Sequence, residues 1–544
     1  MKWLRRILLG LVVLGLMVWL GGALLLRHWT AKPPPLPPEA ETVLQQRIVE
    51  RDGKRWVGRC WLSEREGLPV LYLTGTPFEM GYAGGLLAQD KLQRLETSAL
   101  AMVHRYVRQE WAISLLKNYI IFRNRRLPEF VAPRFQMELY GMIRGNPDIH
   151  PSLGPYFNRV LNYHAAHDIS YMLIDNPLVT GNGCTTFGAW GGATTNGHLL
   201  TGRNFDWEAD PAFDRDRILV LCEPADGIAF VSHAWAGMAG AVSGLNRAGV
   251  AVMVNGAPSE LPRDIGTPAA MVAREILERA HNLAEATAIL REARVFVSTL
   301  WLIGSRADGR FIVIEKTPDA TQVREPTTNQ IICANHFMTA GLKDIPRNIE
   351  FQAESTSVTR YARASELLTG ELTIPRLVEI LRDRRLPGGA FAGNGHRSSL
   401  NADIATHAVA MDLTAGIFWA AAPPHLLGKF VAFDVNDFAL ELPAETIPAD
   451  SALAKFGDYE KAQQNLLTGR QALKRGDATT ALQLATEAEA LNPGFYENAA
   501  LRGRALLALG KTNDASRAFT AALAGKPAFA KERRELEALI HGAR

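Results

Sequence analysis

The sequence predicts a layered α+β protein that ends in an all-helical segment, and three observations predict it. Downstream of the run Gly183-Cys184-Thr185-Thr186 the chain reads as short apolar stretches broken by turn residues, clearest at 199–205, 218–222, 228–233 and 250–255. A helical pair at 268–280 and 284–294 is followed by further strands at 300–305 and 311–315, joined by Asp308-Gly309. Strands, then helices, then strands fit stacked layers better than the alternating units of a parallel sheet. Finally, Gly469, Gly476, Ala481, Ala488 and Pro493 recur 34 residues later as Gly503, Gly510, Ala515, Ala522 and Pro527.

Taken in order, the chain opens with Lys2, Arg5 and Arg6 ahead of an uncharged stretch at 7–26. As a helix that stretch spans about 30 Å, enough to cross a bilayer. The basic flank places the N-terminal end in the cytoplasm. Arg27, His28 and Trp29 follow where a cleaved signal would carry small residues. The expectation is an uncleaved transmembrane anchor with the catalytic body outside the cytoplasm, on the periplasmic or extracellular side. Pro33, Pro34, Pro35, Pro37 and Pro38 make a stiff spacer after it. Residues 42–174 mix strand-like runs such as 70–73 with helices rich in Leu, Arg and Tyr, and suggest no chemistry. There the cluster Gly81, Gly84 and Gly85 reads as a tight helix or turn contact. The 34-residue recurrence matches helix-turn-helix repeats of tetratricopeptide type, in which small residues let paired helices approach. The expected units are 1–38, anchor and linker; 39–183, an N-terminal segment; 184–445, the catalytic domain; and 458–544, the repeats. Two repeats bury little core alone, so they dock on the body or pair with a protein partner.

Composition narrows the function. A net charge of +3 over 544 residues offers no attraction to nucleic acid or to an acidic polymer. No phosphate-cradling glycine loop ending in Lys and Ser or Thr is present. Cys60, Cys184, Cys222 and Cys333 lack C-x-x-C pairing, which argues against a zinc knuckle, although one disulfide among Cys60, Cys222 and Cys333 stays open. His233, His336, His396 and His407 occur without H-E-x-x-H or a carboxylate at metal spacing, so neither metal nor cofactor is expected.

Chemistry gathers at Gly183-Cys184-Thr185-Thr186 and at Gly202-Arg203-Asn204-Phe205-Asp206-Trp207. Gly183 leaves the carbonyl before Cys184 open to approach. Asn196-Gly197 is a dipeptide favoured in two-residue hairpin turns, where both positions need positive φ. Such a turn brings Arg203 and Asp206 back alongside Cys184. No histidine lies close in sequence to Cys184, yet a cysteine that becomes a chain terminus needs none. Its α-amino group has a pKa of about 7.7–8.0, against about 8.5 for a free thiol, so the amine can take the thiol proton. The cut can use the same thiol, attacking the Gly183 carbonyl.

These blocks, with Cys333-Ala334-Asn335-His336-Phe337, resemble the isopenicillin N acyltransferase-related peptidases, also termed acyl-CoA:6-aminopenicillanic acid acyltransferase-like. Those are N-terminal nucleophile hydrolases, cousins of choloylglycine hydrolase and acid ceramidase. The resemblance runs from Gly183 to Pro424 and, more weakly, upstream. It implies an αββα sandwich of two antiparallel sheets, with autocleavage between Gly183 and Cys184. It also implies that residues up to Gly183 become a smaller chain. Cys184 matches the nucleophile. Arg203 and Asp206 match the arginine and aspartate of an Arg-Asn-x-Asp block, which implies Asp206 on the α-ammonium and Arg203 steering thiolate and substrate. The acyltransferase branch differs at the arginine. Asn255, in Val-Met-Val-Asn-Gly, resembles an asparagine that donates to the oxyanion, and Asn335 resembles a second asparagine of the site. Ala334 stands where many relatives have threonine. Arg360 resembles a remote arginine that supports the nucleophile, with Arg363 as the alternative. Asn204 and Trp207 read as capping and packing residues.

The function implied is attack on the amide or thioester bond of a small N-acylated molecule, without a cofactor. Whether water or an amine then takes the acyl group stays open. Two rivals stand beside it. One is a membrane-anchored repeat scaffold with an inactive hydrolase-like domain, which the intact Cys184, Arg203 and Asp206 argue against. The other is a single-chain thiol enzyme using a distant histidine such as His336.

Overall fold

The computed structural model describes residues 21–22, 24–172, 183–207, 210–260 and 264–542. Its strands begin with β1 (Val49–Arg51), β2 (Lys54–Val57), β3 (Cys60–Arg65) and β4 (Leu68–Gly75), then the hairpin β5 (Gly183–Gly191) and β6 (Gly197–Asp206). Next come β7 (Arg217–Pro224), β8 (Phe230–Trp235), β9 (Ser243–Asn246) and β10 (Val250–Gly256). The series continues with β11 (Thr299–Ser305), β12 (Arg310–Lys316), β13 (Thr321–Arg324) and β14 (Gln330–Cys333). It closes with β15 (Ala405–Asp412), β16 (Ile417–Ala421) and β17 (Phe430–Asp434). An 11-stranded sheet has the order β1-β2-β3-β4-β7-β8-β9-β10-β11-β12-β13, and a 6-stranded sheet the order β14-β5-β6-β15-β16-β17. Among the described residues the ladders are antiparallel except β4 with β7, which run parallel from Val70↔Leu219 to Gly75↔Pro224.

Alternation along the strands builds the layers. Ala251 and Met253 of β10 turn inward to meet Val409, Met411, Phe418 and Phe433 of the smaller sheet, forming the core between the sheets. Val250, Val252 and Val254 turn outward beneath the helices Pro77–Leu87, Pro133–Gly145 and Ala269–Arg279. The outer face of the smaller sheet, including Phe187, Ala189, Ala408 and Ala410, is covered through Ala364, Leu377 and Leu381 by the helices Ser357–Leu367 and Ile374–Leu381. The result is helix, sheet, sheet, helix. Strands buried on both faces must be apolar at nearly every position. That is why 218–222 and 250–255 read as unbroken runs.

The segment upstream of Gly183 is woven into this body, since β1–β4 extend the larger sheet. Its glycines make a helix crossing with backbones in contact. A Cβ on Gly81 would lie 1.9 Å from the Glu138 carbonyl oxygen and one on Gly85 2.3 Å from that of Met142. Reciprocally, Gly141 faces the Phe78 oxygen at 2.4 Å and Gly145 the Tyr82 oxygen at 2.3 Å. Only glycine fits at any of the four.

Three expectations change. β5 and β6 pair as read, but Asn196-Gly197 is not a two-residue turn. Of that dipeptide only Gly197 has positive φ, +74°, and the connection is a longer loop. Its Thr194 hydroxyl donates to the His198 carbonyl at 2.9 Å, and Asn196 Oδ1 accepts the His198 N–H at 3.2 Å. The membrane-anchored localisation is also corrected, since no helix among the described residues is long and apolar enough to cross a membrane. Of the stretch 7–26, residues 7–20 and 23 lie outside the described residues. Its end leads straight into the body, where Trp29 rests on Phe122 and the Ala31 N–H donates to Asn158 Oδ1. The proline spacer therefore runs along the protein. Lastly, Cys60, Cys222 and Cys333 are free thiols, as is Cys184, so none of them forms a disulfide.

The C-terminal helices are Phe456–Lys474, Ala478–Leu491, Tyr496–Ala508, Thr512–Ala524 and Ala530–Gly542. Residues 34 positions apart take the same roles. Gly476 and Gly510 adopt φ of +85° and +75° between helices, and Ala481, Ala488, Ala515 and Ala522 are fully buried. The segment docks on its own chain: Asn492 exchanges two 2.9 Å hydrogen bonds with the Asn394 backbone, and His396 Nε2 lies 2.9 Å from the Lys526 oxygen.

Candidate active site

The register of β5 on β6 sets Cys184 opposite Phe205, Thr185 opposite Asn204, Thr186 opposite Arg203 and Gly183 opposite Asp206. Alternation then divides these residues between two faces. Cys184, Thr186, Arg203 and Phe205 point toward the larger sheet, whereas Thr185, Asn204 and Asp206 point toward the helices. Asn204 pins its strand to the helical layer by donating to the Leu381 and Leu400 carbonyls at 2.8 and 2.9 Å. Trp207 packs edge-on against Phe213 and Trp235.

On the inner face Arg203 is fully buried. Its Nη2 lies 3.6 Å from Cys184 Sγ and also donates to the Val254 carbonyl. Its Nη1 donates to Ser243 Oγ at 2.6 Å and to the Val242 carbonyl. A guanidinium only donates, so the sulfur is the acceptor in this contact.

On the outer face Arg360 reaches across from helix Ser357–Leu367. Its Nη1 donates to the Cys184 carbonyl at 2.6 Å and to Thr185 Oγ1 at 2.8 Å, and its Nη2 to Asn335 Oδ1 at 2.7 Å. Burial pulls its pKa below the ordinary arginine value, against the opposing charges of Asp206 and Cys184. Asn335 Oδ1 also accepts the Cys184 N–H at 2.8 Å, while its Nδ2 donates to the Gly256 carbonyl at 2.9 Å. A Cβ on Gly183 would sit 3.0 Å from Arg360 Nη2, so any larger residue before Cys184 requires the guanidinium to shift by a few tenths of an ångström. Arg363, the alternative, turns away to Asp383 and Glu366. Asp206 is buried, and its Oδ1 has no hydrogen-bond partner among the described residues. Burial pushes its pKa up to about 7, opposed first by Arg360.

Asn255 departs from the oxyanion-donor role. Its Nδ2 donates to the Cys333 and Ala334 carbonyls at 3.0 and 2.9 Å, and its Oδ1 accepts the Thr186 hydroxyl at 3.0 Å. Both amide protons are committed, so here it clamps β10 to the end of β14. His336 engages Ser357 Oγ at 2.8 Å, and burial lowers its pKa to about 4. Burial raises Cys333 to about 12, which leaves it a neutral thiol. Among the described residues no three His, Cys, Asp or Glu side chains are placed to hold a metal.

Sequence reasoning missed Thr185, Ser357, Ser243 and His407. Thr185 stood inside a quoted block, and a polar residue flanking a candidate nucleophile is the signal that could have found it. Ser357 Oγ accepts the Asn335 N–H at 2.8 Å. A small cleft opens between the glycine-paired helices and β4, β7 and β8, lined by Leu73, Met80, Met142, Phe230 and Trp235 together with Glu138 and Arg274. Trp235 packs edge-on against Phe205, the cross-strand partner of Cys184.

Residues 193–389 match the family model described as acyl-coenzyme A:6-aminopenicillanic acid acyl-transferase. That segment begins just after Cys184 and contains Arg203, Asp206, Asn255, Asn335 and Arg360. An uncharacterized protein of Archaeoglobus fulgidus is 25% identical, over 44% of this chain and 41% of its own length. Protein dcd1B of Dictyostelium discoideum is 25% identical, over 48% and 52%. The chain thus spans about half the length of these two relatives. The acyl-coenzyme A:6-aminopenicillanic-acid-acyltransferase 40 kDa form of Emericella nidulans is 25% identical, over 55% of this chain and 78% of its own. Among solved structures, an N-acylethanolamine-hydrolyzing acid amidase ortholog of Caenorhabditis elegans is 16% identical with a TM-score of 0.32, covering 42% of this chain and 93% of that one. A mutant conjugated bile acid hydrolase of Clostridium perfringens is 14% identical with a TM-score of 0.34, covering 48% and 95%. The stretch 193–389, which carries most of the candidate site, is thus similar to the acyl-coenzyme A:6-aminopenicillanic acid acyl-transferase family.

Proposed function

We propose that the chain is a cysteine N-terminal nucleophile hydrolase or acyltransferase. It cuts itself between Gly183 and Cys184, then acts on the amide or thioester bond of a small N-acylated molecule. The observation that carries this reading is the setting of the Cys184 nitrogen. It donates to Asn335 Oδ1 at 2.8 Å, and the buried carboxylate of Asp206, with one oxygen unpartnered among the described residues, stands opposite Gly183. A peptide N–H has one proton to give, whereas an ammonium has three.

In the cut, Cys184 Sγ bonds to the Gly183 carbonyl carbon, the peptide C–N bond breaks, and the nitrogen gains a proton. Water then hydrolyses the thioester, leaving a carboxylate on Gly183 and a free amine on Cys184. Asn335 and Asp206 hold that amine. In turnover the amine takes the thiol proton, and the thiolate, facing Arg203, attacks the acyl carbonyl. The ammonium returns its proton to the departing amine, and water or a second amine takes the acyl group from sulfur. On this reading 39–183 and 184–445 are the two sides of the cut, and the C-terminal helices are tetratricopeptide-like repeats.

N-terminal sequencing tests the reading. The larger fragment is expected to begin Cys-Thr-Thr-Phe, and Cys184→Ala is expected to stay one inactive chain. A wild-type chain that stays whole yet cleaves N-acyl amides would overturn it.

A further inference from the structure

We infer that His407, acting through Ser243, is a positioning residue for Arg203 and so for the sulfur of Cys184. The inference rests on the reading of Cys184 as the nucleophile. Arg203, Ser243 and His407 are all fully buried, in the middle of the sandwich. Ser243 comes from β9 of one sheet and His407 from β15 of the other. Ser243 Oγ lies 2.6 Å from Arg203 Nη1 and 3.0 Å from His407 Nε2.

Arg203 only donates, so Ser243 Oγ accepts from it. The hydroxyl still has one proton and a second lone pair, so it engages His407 Nε2 as donor or as acceptor according to the imidazole tautomer. The two protons on Nη1 go to the Val242 carbonyl and Ser243, and the two on Nη2 to the Val254 carbonyl and Cys184 Sγ. Sulfur is the weakest of these four acceptors and, at 3.6 Å, the farthest. If Ser243 ceases to hold its corner of the guanidinium, the contact to sulfur is the one surrendered. Phe205 gives His407 a second hold. Its ring stacks on the His407 ring at 4.9 Å and 16°, and the Arg203 guanidinium lies 4.7 Å from its centroid. His233 at 5.1 Å and Trp235 at 5.7 Å enclose the imidazole.

The test is the second-order rate of Cys184 alkylation by iodoacetamide at neutral pH in the full chain, with the modified residue identified by mass spectrometry and Tm measured in parallel. Ser243→Ala and His407→Phe are each expected to slow alkylation about tenfold, because the guanidinium donor withdraws from the sulfur. The double variant should be no slower than the slower single one, because both act through one line of contacts. His407→Gln, whose amide oxygen can accept the Ser243 proton, should return to within about threefold of wild type. Wild-type alkylation rates in Ser243→Ala and His407→Phe would overturn the inference. So would a His407→Gln rate as slow as that of His407→Phe, with an equal loss of Tm, since that pattern marks packing alone. The reading of Cys184 fails separately, if Cys184→Ala retains amide turnover whatever the alkylation rates.

Discussion

The two faces of the β5–β6 pair treat Cys184 differently. The inner face addresses sulfur: Arg203 is strung between Val242, Val254 and Ser243 and turns one donor to Sγ. The outer face addresses the peptide: Arg360 and Asn335 hold the carbonyl and N–H of Cys184, with Asp206 beyond. One arginine serves each face, and the hairpin backbone separates them. A strand does this because successive side chains leave it in opposite directions. The atom that attacks and the atom to be set free can therefore be adjusted independently.

That separation is open to test on an uncut Cys184→Ala background. The largest effect is expected from Arg360→Ala, which strips a buried charge and leaves its partners unpaired, at about 3–5 kcal/mol in urea unfolding. A loss as small as that of an exposed ion pair would mean the outer face is not a unit. Next comes pH. Asp206 has a folded pKa of about 7, against about 3.9 for an unperturbed aspartate. The folded state thus keeps a proton that the unfolded chain has released. Stability from this group is complete below the unfolded value and is lost as pH rises through the folded one, by up to about 4 kcal/mol. Asp206→Asn should flatten the unfolding free energy between those pH values, and an unchanged slope would remove Asp206 from the account. In a chain with Cys184 intact, Gly183→Ala forces the Arg360 guanidinium aside, which should cost about 1–3 kcal/mol and slow self-cutting in a gel time course. The smallest effect on the site is expected from Arg363→Ala. It loses its pair with Asp383, about 2 kcal/mol, and should keep the wild-type cutting rate.

Much of the strand layout was legible because buried strands are forced to be apolar, as at 218–222 and 250–255. The hairpin partner of Cys184 was legible for the same reason, but its turn was misjudged. Thr194 and Asn196 close a longer loop with side-chain hydrogen bonds that a dipeptide preference does not encode. Arg360 came from its resemblance to a known block, since its contact with Cys184 joins residues 176 apart in the chain. Asn255 instead holds the Cys333 and Ala334 carbonyls, a commitment that depends on where β14 ends and that its own strand does not announce. Nothing marked Ser243, and His407 stood out only as a histidine without metal spacing; both lie inside strands, and they meet only when two sheets stack.

The parallel ladder between β4 and β7 has a consequence for any chain opened ahead of Cys184. Both pieces would still share one sheet, stitched from Val70↔Leu219 to Gly75↔Pro224, and the pair of glycine-contacting helices lies on the upstream piece, packed over that sheet. Neither piece could drift off without baring a raw strand edge to water. The severed protein would migrate as two bands in detergent but elute as a single particle from a sizing column.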